Sequence, residues 1–250
     1  MRRLELTLPT PAENLALDEA LLDWAEAENP EWEFLRLWES PEPIVVVGRS
    51  TRVQQEVFSE ACRERAIPIL RRSSGGAAVV AAPGCLMYAV VLSYALRPEL
   101  KDIGRAHAFM LQRMASSIQP LVTDFGTISF QGTSDLVLAD RSTSGQPRKF
   151  SGNSLRAKRT HLLYHGTLLY NIDLTLIGTC LRMPPRQPSY RESRTHRDFV
   201  TNLPVDRLAL VAAIDHKWPT LENLTVWPID RVTALVNERF SQHRWNFEFD

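Results

Sequence analysis

The stretch RRSSGGAAVVAAPG, residues 71–84, decides how the rest of this chain is interpreted. Two arginines lead into two serines, two glycines and a run of small apolar residues, and a Pro-Gly turn closes the stretch. Adjacent glycines let backbone amides approach an anion closely, but they are also typical of a tight turn before a buried strand. The paired arginines favour an anionic partner. Taken alone, the stretch leaves both interpretations open.

The spacing excludes the two most familiar phosphate loops. Neither GxxxxGK[ST] nor GxGxxG is present, and no lysine lies near the glycines. Any phosphate bound here would belong to a ligand other than the nucleotide of a P-loop enzyme or the dinucleotide of a Rossmann domain.

Composition indicates a globular protein without a general affinity for polyanions. The 250 residues are 44% hydrophobic, and 29 basic side chains balance 29 acidic ones. We therefore expect no nucleic acid partner, no membrane partner and only local anion binding. No apolar run has the length of a signal peptide core or a membrane span, which predicts a cytoplasmic protein.

Two counts bear on the chemistry. Cys62, Cys85 and Cys180 are odd in number and far apart, which predicts reduced packing thiols and no disulfide framework or zinc site. The 29 basic residues include only four lysines. Each lysine therefore raises the question of whether an ammonium group is needed where arginine is otherwise used.

Hydrophobic periodicity predicts a mixed α+β domain over residues 1–250. Strands and helices interleave without a βαβ rhythm, so we expect a mixed β-sheet core with flanking helices. A polar loop is predicted at 141–148, and a basic, proline-rich connector at 184–197. Helices are predicted at 13–27, 56–66, 105–118, 174–181, 206–217 and 230–242, and strands at 35–48 (two around a turn), 67–70, 85–93, 127–130, 135–139, 149–152 and 162–170.

Two further stretches carry candidate functional groups. RKFSGNSLR, residues 148–156, contains the rare Lys149 beside Ser-Gly-Asn, and LLYHGTLL, residues 162–169, contains His165. Each has an ordinary interpretation as well: a strand-edge lysine is usually solvated, a strand histidine is usually interior, and an isolated acid such as Asp135 usually forms a turn. Spacing alone assembles neither a Ser/His/Asp arrangement nor a carboxylate pair.

The order of these stretches is more specific than any one of them. RRSSGGAAVV, PGCLMYAVVLS, TSDLVLAD, RKFSGNSLR and HGTLLYNIDL together resemble the lipoate-protein ligase family, within the wider biotin/lipoate ligase and octanoyltransferase group. ENLALDEALL, WESPEPIVVVGR and RTHRDFVTNL extend the resemblance over residues from about 13 to about 203. It implies a biotin/lipoate ligase-like catalytic domain, without a full C-terminal accessory domain.

The resemblance implies roles for individual residues. Lys149 would be the catalytic residue that contacts the phosphate and carbonyl oxygens of an acyl adenylate, and Asp135 would approach phosphate and a possible Mg²⁺ ion. The residues expected to bind substrate or ATP are Arg72, Ser74, Gly75, Gly76, Ala77, Ala78, Val79, Val80, Asp135, Gly152, Arg156 and His165.

The implied activity is that of an ATP-dependent lipoate-protein ligase. Such an enzyme uses ATP and Mg²⁺ to convert lipoate or octanoate into an acyl-AMP, and transfers the acyl group to a lysine of a lipoyl domain. The implied acceptor is the acyltransferase subunit of a 2-oxoacid dehydrogenase or the glycine-cleavage H protein. Fewer than 50 residues follow FVTNL, so a separate accessory protein is a further expected partner.

The chain departs from the family pattern at identifiable positions. Ala77 replaces a third glycine, Ala81 replaces a histidine, Ser134 replaces an asparagine, and Tyr164 replaces the first of two histidines. Alanine at position 77 fits the loop only if its φ angle is negative.

Two alternative functions remain open. One is an octanoyl or lipoyl transferase acting through a cysteine thioester, for which Cys85 is the only cysteine within a motif. The other is a non-catalytic member that binds an acyl group or a lipoyl domain. A biotin ligase is disfavoured because its GRGRxGR-type loop is absent.

Overall fold

The computed structural model describes residues 1–141, 146–218 and 222–249. The predicted polar loop at 141–148 lies partly outside these residues. The strands are β1 (Arg2–Glu5), β2 (Phe34–Glu39), β3 (Ile44–Val47), β4 (Ile69–Arg71), β5 (Val79–Ala81), β6 (Cys85–Ser93), β7 (Gly126–Gln131), β8 (Asp135–Asp140), β9 (Pro147–Ala157), β10 (His161–Leu169) and β11 (Glu222–Asn223).

Helices surround these strands. They are α1 (Pro11–Glu28), α2 (Val53–Glu56), α3 (Ser59–Glu64), α4 (Ile103–Ile118), α5 (Thr175–Cys180), α6 (His196–Phe199), α7 (Arg207–Lys217), α8 (Ile229–Leu235) and α9 (His243–Asn246). Short 3-10 turns cover Pro98–Lys101, Gln119–Leu121 and Ser189–Arg191, and a π-helical turn covers Val236–Phe240.

The strands of the described residues form two sheets. The large sheet has the order β11-β1-β2-β6-β10-β9-β8-β7 and the small sheet has the order β4-β3-β5. Parallel pairs join β1 to β11 and β2, and β3 to β4, whereas the other pairings within the two sheets are antiparallel. This is the predicted α+β class with a mixed sheet.

Strand β6 shows how the core is divided. Cys85, Met87, Ala89 and Val91 join the apolar cluster that includes α1 and the small sheet, and the alternate residues Leu86, Tyr88, Val90 and Leu92 join the cluster under α4 and α7. Side chains alternate across a strand, so a strand buried on both faces becomes a continuous apolar run. The core thus lies on both sides of the large sheet.

Helix α1 begins where the sequence provides a cap. The side chain of Thr10 accepts a hydrogen bond from the Glu13 amide, and the Glu13 carboxylate accepts one from the Thr10 amide, which completes a capping box before Pro11. Both faces of α1 carry buried residues, including the polar Asn14, Asp18 and Glu19. The helix therefore brings acidic groups into the interior beside the sheet.

Most predicted elements are confirmed, and the differences have local causes. The strand predicted at 149–152 continues to residue 157, and the helix predicted at 230–242 is α8 followed by the π-helical turn. The helix predicted at 56–66 is the shorter α3 (Ser59–Glu64), and α2 ends at Glu56, before Val57 and Phe58. Strand β1 was not predicted because its charged sequence RRLE lacks an apolar run.

None of the helices formed by residues 1–141, 146–218 and 222–249 combines the length and the apolar character needed to cross a membrane.

Candidate functional site

A cavity of about 530 Å³ lies between the two sheets and the connector. This volume falls within the range of small-molecule sites. One side is formed by the glycine loop (residues 72–78) with β5, another by β9 and β10, and a third by the connector (residues 184–197). Charged groups from all three sides reach it, whereas Val46, Met87 and Leu181 supply apolar surface.

Arg72 shapes the glycine loop from inside. Its guanidinium donates hydrogen bonds to the carbonyl oxygens of Val46 (3.1 Å), Gly75 and Ala77 (3.0 Å), and to Ser74 Oγ (3.2 Å). Burial lowers the pKa of Arg72 to about 10, an effect that the nearby Glu56 partly opposes, so the side chain remains a cation at neutral pH. Arg72 thus adds a positive charge to the cavity lining while fixing the loop.

Arg71 joins the loop to the C-terminal segment. Its fully buried guanidinium donates to the carbonyl oxygens of Gly48 (2.8 Å), Thr51 (2.8 Å), Trp245 (2.9 Å) and Asn246 (2.9 Å). Its amide donates to Asn246 Oδ1, and its carbonyl accepts from Trp245 Nε1, both at 2.9 Å. These guanidinium bonds go to backbone carbonyls, so Arg71 supports the architecture of the loop.

The loop backbone explains one departure from the family pattern. Gly76 has a φ of +91°, and a Cβ there would lie 2.9 Å from Arg72 Nη2. Ala77 is absent from the described residues with positive φ, so its side chain introduces no strain of the left-handed kind. The condition that the sequence placed on Ala77 is therefore met.

His165 braces the loop from strand β10. Its Nε2 lies 2.5 Å from Ser74 Oγ, and its Nδ1 lies 3.5 Å from Asp18 Oδ2. Asp18 forms a buried ion pair with Arg36. Because Ser74 Oγ accepts from Arg72, we assign its hydroxyl proton to His165 Nε2 and the ring proton to Nδ1. Ser74 is only 2% exposed, which argues against a nucleophilic role despite this Ser-His-Asp geometry.

Lys149 and Asp135 face each other across strands β9 and β8. Lys149 Nζ lies 2.7 Å from Asp135 Oδ1, and Tyr190 of the connector donates a 2.7 Å hydrogen bond to Asp135 Oδ2. The register shifts so that Leu136 faces Ser151 while Val137 faces Lys149. Such bulges re-aim side chains and are frequent beside active sites.

The absence of a side chain at Gly152 leaves room for the Lys149 ammonium group. A Cβ on this residue would lie 2.8 Å from Lys149 Nζ and 2.9 Å from its Cε. The segment after α6 fixes the backbone on the other side, because the Thr201 amide donates a 2.9 Å hydrogen bond to the Lys149 carbonyl. Three features therefore set the position of the ammonium group: the fixed backbone of Lys149, the ion pair with Asp135 and the absence of a side chain at Gly152.

The structure brings most of the predicted site residues to one cavity. Arg72, Gly76, Ala77, Ala78, Val79, Val80, Asp135, Lys149, Gly152 and His165 line it. The other three predicted positions do not: Ser74 contacts His165, the Gly75 carbonyl accepts a hydrogen bond from Ser154, and Arg156 forms a 2.8 Å ion pair with Glu19. Arg156 is placed by this ion pair with an acid of α1, a long-range contact that its position in the lysine motif does not reveal.

The cysteines lie outside the cavity. All three are buried, and burial, reinforced by Glu39, raises the pKa of Cys85 to about 12. The Cys62 and Cys180 thiols interact with each other, and burial raises the pKa of Cys62 to about 12. A nucleophilic thiol needs a depressed pKa and access to substrate. These environments agree with the predicted packing role.

Several residues in the cavity or beside it could not be assigned from sequence. Asp18 sits in an acid-rich helix and was not distinguished from solvated acids, although its spacing from Leu15 and Leu22 places it toward the buried side. Arg191 of the connector is 4% exposed, lines the cavity and donates to the Arg194 carbonyl at 3.1 Å. Tyr190 carried no signal other than its place in a proline-rich stretch.

Comparison with known proteins finds the same family that the sequence motifs resemble. The family model described as "Lipoyl protein ligase A/B catalytic domain" matches residues 10–206. The chain is 26% identical over 215 residues to the lipoate-protein ligase A of Bdellovibrio bacteriovorus, covering 81% of this chain and 56% of that protein. It is also 26% identical over 203 residues to the octanoyltransferase LipM of Geobacillus kaustophilus, covering 76% of this chain and 71% of that protein.

Solved structures share the fold. The bi-partite lipoate protein ligase of Thermoplasma acidophilum, described with its E2 lipoyl domain, has a TM-score of 0.79 at 21% identity, covering 100% of this chain and 96% of that chain. A lipoate-protein ligase A bound with ATP has a TM-score of 0.76 at 20% identity, covering 100% and 99%. With the matched family model spanning most of the sequence, the chain belongs to the lipoyl protein ligase A/B catalytic domain family.

Proposed function

We propose that this protein is an ATP-dependent lipoate-protein ligase, which forms lipoyl-AMP and transfers the lipoyl group to a lysine of an acceptor lipoyl domain. The observation that carries this proposal is the position of Lys149. Its ammonium group enters the cavity opposite a glycine loop that carries the buried cation Arg72. Activation of a carboxylate by ATP places negative charge on the α-phosphate as pyrophosphate leaves, and preorganised cations at that point lower the barrier.

The cavity also matches the acyl half of the intermediate. Lipoate and octanoate are apolar except for the carboxylate, so their chains require an apolar wall. Val79 and Val80 of β5, with Met87, Ile177 and Leu181, supply such a wall beside the charged groups. When the acceptor amine attacks the mixed anhydride, a C–N bond forms, the acyl C–O bond to AMP breaks, and the amine loses a proton to solvent; Lys149 would stabilise the oxyanion of that step.

A magnesium ion fits this site only together with the nucleotide. No group of three or more His, Cys, Asp or Glu side chains suited to a metal occurs in the described parts of the chain. Mg²⁺ commonly uses one or two carboxylates and completes its shell with phosphates and water. Asp135 would be the protein ligand, and the ion would neutralise phosphate charge.

The acceptor and an accessory protein are part of the proposal. The archaeal lipoate protein ligase of similar fold is described as bi-partite, together with its E2 lipoyl domain. We infer that a separate accessory protein assists activation, and that the acceptor is a lipoyl domain of an acyltransferase subunit or an H protein.

A cysteine-dependent octanoyltransferase is the second candidate, favoured by the similarity to LipM. Its chemistry needs an accessible thiolate, whereas Cys85 is buried with a raised pKa. Transfer of an acyl group from a carrier protein without ATP, and its loss in Cys85→Ser, would favour this candidate over the ligase.

ATP–pyrophosphate exchange tests the proposed activation step. Lipoate, octanoate and biotin are compared in parallel, and we expect exchange with lipoate or octanoate but not with biotin. Lys149→Ala should abolish it. Lys158→Ala is the matched control, because the Lys158 side chain is 28% exposed and pairs with Asp23, much as Lys149 is 26% exposed and pairs with Asp135. Exchange that survives Lys149→Ala would contradict the assigned role.

A further inference from the structure

The lysine site, which is the pair of Lys149 and Asp135, has a third member in Tyr190 of the connector. Tyr190 is partly buried, and its hydroxyl donates the 2.7 Å hydrogen bond to Asp135 Oδ2 while Lys149 occupies Oδ1. The two oxygens of one carboxylate therefore join the connector to the proposed catalytic lysine. Tyr190 is not among the residues that line the cavity.

The ring of Tyr190 lies beside two other elements. Its centroid lies 5.2 Å from that of Phe199, a buried residue of α6. The β7–β8 turn also approaches the ring, and a Cβ on Gly132 would lie 3.6 Å from Tyr190 Cε1. Arg194 Nη2 donates to the Tyr190 carbonyl at 2.7 Å. The hydroxyl is thus aimed at Asp135 by contacts that do not involve Asp135.

Asp135 needs such a partner to hold the lysine in one place. A carboxylate that binds an ammonium group through one oxygen can rotate about its terminal bond, because torsions of this type have broad minima. A second hydrogen bond, on the other oxygen, removes that freedom. A lysine ammonium is a compact charge on a flexible stem, so its position depends on its partner.

We propose that Tyr190 is a positioning residue of the lysine site, which holds Asp135 so that the Lys149 ammonium is already placed at the cavity before the nucleotide binds. The expected effect on catalysis rests on the proposed function, whereas the expected effect on the position of Lys149 does not. Loss of the hydroxyl should leave the fold intact and make the position of Lys149 less defined.

The structural consequence is measured by the acetylation rate of each lysine with acetic anhydride, followed by mass spectrometry. Lys158 is an internal reference of similar exposure and pairing. In Tyr190→Phe we expect Lys149 to react several-fold faster relative to Lys158, because its ion pair is broken more often. Tyr170→Phe is the matched control, since the Tyr170 hydroxyl also binds a carboxylate, that of Glu39 at 2.9 Å, outside the cavity.

The catalytic consequence is measured by a double-mutant cycle on acyl-AMP formation. Tyr190→Phe should reduce kcat about 10-fold, since misplaced groups cost rate, with little change in KM for the acid. In an Asp135→Asn background the same change should have less than about a twofold effect, because Tyr190 acts through Asp135. A purely structural residue would reduce both backgrounds equally.

The acetylation rate of Lys149 relative to Lys158 tests the role of Tyr190 even if wild-type protein forms no adenylate. A faster Lys149 reaction in Tyr190→Phe alone supports it whether or not the proposed activity is found. An unchanged or slower reaction, with melting temperature preserved, would overturn it. Equal kcat losses in the two backgrounds would overturn the catalytic role.

Discussion

The glycine loop and the connector form opposite sides of the cavity, and they are held in different ways. Loop residues Arg72 and Ser74 are buried and bonded to neighbouring backbone and to His165. Connector residues are more often exposed, and Arg186 lines the cavity while remaining open to solvent. A surface fixed by buried bonds keeps its shape without ligand, whereas an exposed segment adapts more readily. The loop is therefore the preformed side, and the connector is adjustable except where Tyr190 and Arg191 hold it.

Lys149 belongs to β9 on the remaining side of the cavity, and the connector reaches it through Tyr190 and Asp135, so displacing it should have the largest effect. In Gly152→Ala the new methyl group would occupy the space of the ammonium group and push it from Asp135. A misplacement of about 1 Å can cost about 100-fold in rate, and we expect a loss of that order in acyl-AMP formation. The flexible side chain can move, so the melting temperature should change little.

Gly178→Ala serves as the control for this substitution. Gly178 lies in α5, and a Cβ there meets no atom within 4 Å. Activity of this variant should match wild type. If Gly152→Ala retained activity within about threefold of wild type, the position of Lys149 would not be critical.

Loss of the Arg71 connection should weaken the preformed side. Asn246→Ala removes the acceptor of the Arg71 amide and the donor to the Phe240 carbonyl, both in buried surroundings. We expect the free energy of unfolding to fall by about 2 kcal/mol, as measured by denaturant titration. Asn29→Ala, which removes an exposed local bond to the Glu31 amide, should change it by less than about 0.5 kcal/mol. Equal effects would mean that the C-terminal segment does not support the loop.

Restoring the third glycine tests whether Ala77 limits the loop. Ala77 lacks a positive φ, so Ala77→Gly relieves no strain and increases the freedom of the unfolded chain. The free energy of unfolding should decrease by about 0.4–1 kcal/mol, and adenylation should stay within about twofold. A tenfold gain in activity would show instead that alanine impairs this site.

The connector should respond to pH through His196. Burial lowers the pKa of His196 below its ordinary value of 6.5, and the charges of Arg191 and Lys149 lower it further, against a hydrogen bond to the Arg182 carbonyl. A depressed pKa contributes stability that is present above the unfolded-state pKa and is lost as pH falls through the folded-state pKa. We expect a change of a few tenths of a kcal/mol, within about the range of a single weak contact.

Hydrogen exchange, corrected for intrinsic rates, measures this effect between about pH 7.5 and 5.5. Protection of residues 184–197 should decline toward the lower pH. His196→Asn should remove this decline. The same pH response in this variant would assign the effect to another group.

The fold was predictable where burial leaves a regular pattern. Strand β6 coincides with the predicted residues 85–93, because burial on both faces produces an unbroken apolar run. The π-helical turn at Val236–Phe240 gave no comparable signal, because its sequence is also compatible with an ordinary helix. Strand β1 is charged and pairs near the edge of the sheet, where polar residues are tolerated.

The site was predictable only as far as motifs reach. Lys149 and the glycine loop were found because their order resembles a family, and the structure brings them to one cavity. Their supports were not found: Asp18 with Arg36, and Tyr190 with Asp135, are pairs on different elements that only tertiary packing brings together. The paired arginines favoured an anionic partner, but the Arg71 guanidinium binds backbone carbonyls.

Acyl transfer from synthetic lipoyl-AMP to an apo lipoyl domain tests the central claim most directly, because it bypasses ATP activation and any accessory protein needed for it. The mass of the acceptor domain is followed for wild type, Lys149→Ala and the matched Lys158→Ala. Wild type and Lys158→Ala should lipoylate the domain at similar rates, and Lys149→Ala should fall to the uncatalysed rate. Transfer by Lys149→Ala at the wild-type rate, or none by wild type, would contradict the assignment of this cavity to an acyl adenylate.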